Sequence, residues 1–397
     1  MNRRDRRLSH ATETPRARRI REATEREELL RSRGIDPVSP RRSARTTASR
    51  PRRWKRNLVL LLVIVLLSGC TGGWLLWQRV AAFNDEVSLA GSASSSLLFP
   101  LMGSDRVNVA MYGYGGPEHT GGTYLADSII ILSIDPKTGT TTMIPIPRDL
   151  WVQGLPELPN NAKINEAFAD GYVGGGVYEA GRAATSVLAK ITGLPIEHWM
   201  ALDFTGFKAM IDSVGGVTVD NPVAFQYTWD ESKFFAGNWD GGSFAAGSIF
   251  LDGVHALDYS RSRYTSVTAE STDFARSVRQ QRVLAALRSK LGGGGFSALG
   301  PGLAIMDALK GTTAPLLATD LSAIDLYLLS EHLGADRRIE LTEGVILEAT
   351  SNSIGQYILV VIGRASGSDY APLQAYLEAE LARLLPTLVA SPSPSLP

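Results

Sequence analysis

Cysteine and histidine are both scarce in this chain of 397 residues. Cys70 is the single cysteine, so an intrachain disulfide is excluded. The five histidines do not occur at the spacings that zinc ligands use, which argues against a histidine-rich zinc site or a zinc-finger scaffold. A net charge is also missing, because 40 Lys and Arg balance 40 Asp and Glu. The composition is typical of a globular protein and excludes a wholly disordered or fibrous one.

The zero net charge conceals two oppositely charged parts. Residues 1–57 contain 19 Lys and Arg against 7 Asp and Glu, which leaves 21 and 33 for the remainder. This segment has few large apolar residues, so it cannot bury enough surface to offset the entropy of ordering. We therefore predict a mostly disordered tail over residues 1–57, with transient helix near 22–33. Nucleic-acid binding is one interpretation of such a basic tail.

The segment that follows favours another interpretation. Residues 58–67 are all apolar, and no charge occurs from 58 to 78. A helix of about 20 such residues spans the hydrocarbon core of a bilayer. The basic run over 52–56 lies on its N-terminal side, so the positive-inside rule places the tail in the cytoplasm. The sequence thus predicts a single-pass anchor over 58–78, with the residues after the anchor on the outer side of the cell membrane.

A lipoprotein interpretation competes with the anchor. The run from Leu67 to Cys70 resembles a bacterial lipoprotein cleavage box in which Cys70 would carry the lipid. The 57 residues before the apolar segment exceed a usual signal peptide, and apolar residues continue after Cys70. The uncleaved anchor is therefore favoured, and both interpretations tether the domain to the outer face of the membrane.

The remainder divides into a spacer, a domain and a tail. Residues 79–104 form a spacer that begins as a helical stalk, residues 105–386 form the domain, and residues 387–397 form a low-complexity disordered tail. The pattern within the domain alternates between strand and helix periods, which predicts a layered α/β fold with a mixed sheet. Strands are expected at 106–112, 128–134, 140–145, 217–219 and 357–362, and helices at 178–192, 204–213, 274–291, 324–332 and 370–385.

Several arginines of the domain occur in close patterns. Arg261 and Arg263 would point to the same face of a strand. Asp273, Arg276 and Gln280 share one face of the expected helix 274–291, whereas Arg279 points elsewhere. A helix N-terminus combined with several guanidinium groups favours an anion site, and a pyrophosphate suits it better than a single carboxylate. Arg148, which follows a strand, completes the set.

The same residues carry a resemblance to a known family. The segment from Asp127 through the turn at 135–139 to Ile-Pro-Arg148-Asp149 resembles the first half of the LytR-CpsA-Psr domain. Further resemblance lies in the ordered motifs Lys-Ile-Asn at 163–165, Gly-Gly-Val at 215–217, the Leu251–Arg263 segment and the Asp273–Gln280 segment. Together these motifs cover residues 105–291, which we take as the core of the domain.

The resemblance implies an activity, a fold and partners. Members of the family are membrane-anchored transferases that move a glycopolymer from an undecaprenyl-pyrophosphate carrier to peptidoglycan, with Mg²⁺ assisting and a phosphodiester link as the product. The implied fold is a three-layer α/β/α domain with a long apolar pocket for the prenyl chain, and nucleic acid is not an expected partner. The helices at 178–191 and 204–211 are candidates for the pocket wall or for plain core.

The resemblance also implies roles for individual residues. Those matching carrier-binding positions, several of them also expected to be catalytic, are Arg148, Lys163, Arg261, Arg263, Arg276 and Gln280. Asp127 matches an acidic residue near the Mg²⁺, and Asp273 matches one beside the phosphates that either orients Arg276 or acts as a general base. Tyr259 is expected to be a packing residue.

One departure from the family pattern concerns the metal. Gly115 stands where the family usually has an acidic residue after its first strand, so one expected carboxylate is missing. Glu118 or His119 are candidates to replace it. This departure leaves open a second function, a catalytically weak homologue that binds polyprenyl phosphates as a regulator of the cell envelope. A regulator that acts through the basic tail is a third.

Overall fold

The computed structural model describes residues 14–34, 53–87, 106–119, 124–292, 299–311 and 315–383. The chain divides into two compact units, Met1–Thr71 and Gly72–Pro397. The first unit contains helix α1 (Pro15–Ser32) and the start of helix α2 (Arg53–Val87). Residues 1–13 and 35–52 of the tail, 88–105 of the spacer region and the C-terminal tail 387–397 lie outside the described residues.

Helix α1 lies within the segment that the composition predicts to be disordered. It has no buried residue. Its stabilising contacts are ion pairs between residues four apart, with Arg18 Nε 3.1 Å from Glu22 and Arg21 Nε 3.6 Å from Glu25. Such pairs each contribute a few tenths of a kcal/mol to a helix, which is the physical reason that alternating Arg and Glu favours this conformation.

Helix α2 contains the predicted membrane span. Over Trp54–Val87 it is long and apolar enough to cross a bilayer, and the window that meets this test is not buried within the protein. The helix does not stop at the end of the apolar run. Its last turns pack on the domain, where Phe83 and Val87 are buried with Leu309 and Leu317. The predicted stalk over 79–87 is thus part of the folded unit.

The second unit contains fifteen described strands, six of which form a mixed central sheet. The strands are β1 (Val107–Tyr114), β2 (Ala126–Asp135), β3 (Thr140–Pro145), β4 (Trp151–Val152), β5 (Ala162–Lys163), β6 (His198–Asp203), β7 (Val217–Asn221), β8 (Phe225–Thr228), β9 (Gly242–Phe244), β10 (Gly247–Leu251), β11 (Tyr264–Thr265), β12 (Leu317–Thr319), β13 (Arg337–Arg338), β14 (Leu347–Ser351) and β15 (Tyr357–Val361). The central sheet has the order β12-β6-β1-β2-β3-β13. Its β1–β6 and β3–β13 pairs are parallel, and the others are antiparallel.

Helices cover both faces of this sheet. They are α3 (Glu166–Thr192), α4 (Phe204–Ser213), α5 (Glu231–Phe235), α6 (Gly253–Arg261), α7 (Asp273–Lys290), α8 (Leu299–Ala308), α9 (Ala323–Ser330) and α10 (Ala371–Ala382). One core contains residues of α3 and α10, and the other contains residues of α4, α6, α7 and α9. Strand β2 supplies Ile129 and Ile131 to the first core and Ile130 and Leu132 to the second, as expected for a strand that is buried on both faces. The predicted three-layer α/β/α architecture is confirmed.

The C-terminal part of the chain belongs to the same sheet. Strands β12 and β13 form its two edges, on β6 and β3 respectively. Tyr370, near the C-terminus, also forms a hydrogen bond with the segment that follows β4, since its hydroxyl accepts from the amide of Gln153 at 2.7 Å. Residues 315–382 are therefore an integral part of the domain.

Arg279 of α7 holds together the segments that precede it. Its guanidinium is fully buried and donates to the carbonyls of Tyr259 at 2.8 Å and Glu270 at 3.0 Å, and also to the carbonyl of Ser262. It pairs with the Glu270 carboxylate at 2.7 Å. The sequence places Arg279 away from the shared face of α7, and the structure shows that it instead fixes the end of α6 and the loop after it.

The contact between α3 and β6 generates a first prediction. A Cβ on Gly181 would lie 2.2 Å from Cζ3 of Trp199, which is buried. Gly181→Ala must therefore push the helix off the sheet, and we expect the free energy of unfolding to fall by ~1–3 kcal/mol. Denaturant unfolding of the full-length protein in detergent measures this change. Gly300→Ala is the control, since no atom lies within 4 Å of its Cβ position; equal stability of both variants would contradict the packing argument.

Arg279 generates a second prediction. Arg279→Ala removes a fully buried guanidinium and leaves the Glu270 carboxylate, which is 13% exposed, and three backbone carbonyls without their donor, so we expect a loss of about 3–5 kcal/mol in the free energy of unfolding. Lys290→Ala, an exposed change at the end of the same helix, should have little effect. The same unfolding measurement applies, and an Arg279→Ala variant as stable as the Lys290 control would show that the arginine does not fix the loop.

Candidate active site

Basic side chains from several elements lie around three carboxylates beside the central sheet. We refer to this group as the basic cluster. Its members are Asp127, Arg148, Asp149, Lys163, Arg261, Arg263, Asp273 and Arg276. They come from β2, the segment after β3, β5, the end of α6 and the start of α7.

Asp127 at the start of β2 lies between two arginines. One carboxylate oxygen accepts from Arg148 at 2.5 Å, and the other accepts from Arg261 at 3.1 Å. Arg261 is further fixed by an aromatic ring, since its guanidinium carbon lies 4.0 Å from the centroid of Phe204. The three charged groups are only about one-fifth exposed, so their interactions are weakly screened by water.

Arg261 and Arg263 do reach one site, but not for the reason expected. Their spacing predicts a strand, which is wrong: Arg261 is the last residue of α6, and Arg263 lies in the connection before β11. Asp252 begins this helix by accepting from the amide of His255 at 2.9 Å, and the packed Ala256 and Tyr259 complete its inner face. The predicted packing role of Tyr259 agrees with its full burial.

The first turn of α7 supplies a second carboxylate. Thr272 is the N-cap, with its hydroxyl accepting from the amide of Ala275 at 3.1 Å, and Asp273 is the first helical residue. Asp273 lies 3.0 Å from Nη1 of Arg276 and 3.8 Å from Nε of Arg263. Burial tends to raise the pKa of Asp273, but the charges of nearby arginines outweigh it and hold the pKa below the usual range.

Asp149 and Lys163 form the third pair. Lys163 Nζ donates to Asp149 at 2.6 Å, and Arg148 Nε lies 3.7 Å from the same carboxylate. Strand β5, on which Lys163 lies, pairs with β4, which begins two residues after Asp149. Lys163 and Arg148 therefore share the Asp149 carboxylate. Asp149 has no role in the sequence analysis, although its position next to Arg148 in the motif identifies it.

The basic cluster carries more positive than negative charge. It has five cations and three carboxylates, an excess of two charges. Burial, together with Arg148 and Arg263, lowers the pKa of Arg276 to about 10 despite its contact with Asp273. The Nε atom of Arg148 is buried without a hydrogen-bond partner in the described part of the chain. An anion bound here would stabilise both groups.

A largely apolar cavity of about 310 Å³ opens onto the basic cluster. Its apolar wall includes Met111, Met200, Phe204, Phe207, Met210, Trp229, Leu257 and Leu284, and its polar end includes Asp127, Ser128, Arg148, Ser260, Arg261, Arg263, Arg276 and Gln280. Of the two helices considered either for the pocket wall or for plain core, α4 lines the cavity and the helix at 178–191 is core. That part of α3 packs in the core on the other face of the sheet.

Most of the residues singled out in the sequence meet at this cavity. Asp127, Arg148, Arg261, Arg263, Arg276 and Gln280 line it, whereas Lys163 and Asp273 do not. Gln280 holds the rim together, because its Oε1 accepts from the Ser128 hydroxyl at 3.1 Å and its Nε2 donates to the Ser260 carbonyl at 3.4 Å. Ser128 and Ser260 were missed, since a lone serine in a strand or helix carries no distinguishing pattern.

The donor set for Mg²⁺ is small. Among the described residues, no three His, Cys, Asp or Glu side chains are grouped to hold a metal. Asp127 is held by two guanidinium groups, but a carboxylate has about four lone-pair positions and retains capacity for one further ligand bond. Because Mg²⁺ in phosphate sites takes one or two carboxylates, with phosphates and waters as the remaining ligands, Asp127 fits an ion shared with a bound phosphate.

The candidate replacements for the missing acid are Glu118 and His119. A Cβ on Gly115 would lie 2.6 Å from the His119 ring, so the site of the usual carboxylate is filled. Glu118 accepts from the Thr205 hydroxyl at 3.1 Å, and His119 packs edge-on against Phe204 at 5.3 Å. Neither residue lines the apolar cavity.

Comparison with known proteins places these features in a family. The LytR_cpsA_psr family model matches residues 79–358. The polyisoprenyl-teichoic acid–peptidoglycan teichoic acid transferase TagU of Oceanobacillus iheyensis is 30% identical over 331 residues, which cover 80% of this chain and 93% of that protein. The transferase of the same name from Bacillus licheniformis is 28% identical over 236 residues, covering 59% and 69% of the two chains.

A solved structure agrees with the fold. The crystal structure of B. subtilis TagV superimposes with a TM-score of 0.51 at 21% identity and covers 72% of this chain and 100% of that one. At this identity the likeness concerns the fold alone. Since the family match extends over most of the chain and includes every member of the basic cluster, this chain belongs to the LytR-CpsA-Psr family.

Proposed function

We propose that this protein transfers a glycopolymer from an undecaprenyl-pyrophosphate carrier to peptidoglycan through a phosphodiester link. The observation that carries the proposal is the excess of arginine charge at the mouth of an apolar cavity. A lipid pyrophosphate has matching parts, an apolar chain and a compact anion. The transferases TagU of O. iheyensis and B. licheniformis, whose names specify a polyisoprenyl-linked teichoic acid and peptidoglycan, support this donor and acceptor.

The arginines act on the pyrophosphate. Arg148, Arg261, Arg263 and Arg276 bind its oxygens and stabilise the negative charge that develops in phosphoryl transfer. Because they are held by Asp127, Asp273 and the ring of Phe204 before substrate binds, little reorganisation is required during the reaction. Gln280 keeps the rim in place through Ser128, and Lys163 positions Arg148 through Asp149.

The fit at Asp127 supports Mg²⁺ as the cofactor. A bound Mg²⁺ supplies neutralisation of phosphate charge. The chain's own contribution is the Asp127 carboxylate, which the two arginines orient toward the mouth of the cavity.

The location of the domain follows from the anchor. The apolar helix ends in the domain, and a polyprenyl carrier is itself a membrane lipid. We propose a single-pass protein with a cytoplasmic N-terminus and an extracytoplasmic domain, in which the cavity opens to lipid delivered from the bilayer. The basic run at 52–56 supports this orientation.

The arginines generate a direct test. Arg261→Ala and Arg276→Ala should each lower the rate of transfer by about 10²–10³-fold, the usual cost of removing a preorganised charge donor. Arg261→Lys, which keeps the charge but loses the planar guanidinium, should lose less. Transfer from a polyprenyl-pyrophosphate-linked saccharide to a peptidoglycan fragment is measured alongside circular dichroism. Full activity in both alanine variants would refute the assignment.

Metal removal distinguishes the transferase from the alternative of a weak binding homologue, which the glycine at position 115 favours. We expect EDTA to slow turnover of the lipid pyrophosphate by the wild-type protein and added Mg²⁺ to restore it. Asp127→Asn should reduce this response to Mg²⁺. Binding of the lipid pyrophosphate without turnover at any Mg²⁺ concentration would instead support the binding homologue.

A further inference from the structure

A second cavity, of about 610 Å³ and lined by both polar and apolar groups, lies next to the apolar one. The two cavities share part of their lining: Asp127, Ser128, Arg263, Arg276 and Gln280. A phosphate held by these residues would therefore border both cavities. Asp273 lines the second cavity and not the first.

Two aromatic rings lie in the wall of the second cavity. Phe274 and Tyr357 are 48% and 47% exposed, so both rings are accessible to a ligand in this cavity. The Tyr357 hydroxyl donates to Glu343 at 2.8 Å, so this ring has a fixed orientation beside a carboxylate. Exposed rings that alternate with carboxylates suit a sugar, whose C–H face packs on a ring while its hydroxyls bond to polar groups.

Arg338 of β13 adds a charged donor. Its guanidinium carbon lies 5.2 Å from the centroid of Phe274, its Nε lies 3.1 Å from Glu340, and its Nη2 donates to Ser277. Its Nη1 is buried and has no hydrogen-bond partner among the residues that the structure describes. A buried donor without a partner costs about 1–3 kcal/mol, so a ligand hydroxyl that accepts from Nη1 would remove this cost.

The geometry of phosphoryl transfer determines from which side the attacking substrate approaches the phosphorus. Attacking and leaving oxygens lie roughly in line through the phosphorus. In the proposed function the lipid phosphate leaves toward the apolar cavity, so the nucleophile has to approach from another side. The second cavity provides such an approach to the same shared residues.

We propose that the second cavity binds the acceptor glycan, with Tyr357, Phe274 and Arg338 as its recognition residues. The inference rests on the proposed function. An acceptor hydroxyl oxygen forms a bond to the phosphorus that bears the glycopolymer, and the bond from this phosphorus to the bridging oxygen of the pyrophosphate breaks. The lipid monophosphate departs, and the hydroxyl proton passes to the Asp273 carboxylate, which lines this cavity.

Steady-state kinetics of the full-length protein in detergent test this inference. The donor is a polyprenyl-pyrophosphate-linked disaccharide, and the acceptor is a peptidoglycan tetrasaccharide. Tyr357→Ala should raise the KM for the acceptor about tenfold and leave the KM for the donor unchanged. Tyr357→Phe, which keeps the ring, should retain most of the affinity. Ile354→Ala, an exposed change on the same β14–β15 hairpin that lines neither cavity, is the matched control.

Arg338→Gln provides an independent variant, and it should raise the same acceptor KM. If the wild-type protein transfers the polymer and both variants keep an unchanged acceptor KM, the inference is wrong while the proposed function stands. An increase in the donor KM alone would also overturn it, because the cavity would then hold the donor glycan. Absence of transfer by the wild-type protein would instead refute the proposed function.

Discussion

Repulsion between guanidinium groups is the constraint on which this site depends. Two unit charges 4 Å apart interact with ~4 kcal/mol at the effective dielectric of a protein surface, so several arginines gather only where carboxylates separate them. Asp127 performs this task between Arg148 and Arg261, and Asp273 performs it between Arg263 and Arg276. An excess of two positive charges remains, so the cluster is not a closed network of ion pairs.

The rest of the domain holds these charges in place. The start of β2 carries Asp127, and the end of α6 and the start of α7 carry the arginines that meet it. Arg279, which lies on α7, links α6 and α7 through its contacts with three backbone carbonyls and the Glu270 carboxylate. A residue that lines neither cavity thus determines where the arginines of the cluster lie. The apolar cavity and the second cavity both border the cluster and share five lining residues.

Regular patterns in the sequence predicted the elements that tertiary contacts do not alter. The apolar run of β2, the turn at 135–139 and the one-sided face of α7 all appear as expected. The pair Arg261 and Arg263 does not, since alternation over three residues cannot distinguish a strand from the end of a helix. The capping carboxylate of Asp252 and the buried Tyr259 decided in favour of the helix. The sequence left the helix at 178–191 open between pocket wall and plain core, because amphipathicity does not specify which face of a sheet a helix covers; the structure places it in the core.

By itself, the sequence determined the division of charge between tail and domain, the apolar segment, the α/β class and the arginines that form the site. These features depend on composition and on short spacings, which can be recognised within one segment without knowledge of the rest of the chain. The tertiary structure decided which carboxylate separates which arginines, that Lys163 pairs with Asp149, and that residues after 335 line a second cavity beside the first. Such facts depend on contacts between residues far apart in the chain, and only the packing of both faces of one sheet specifies them.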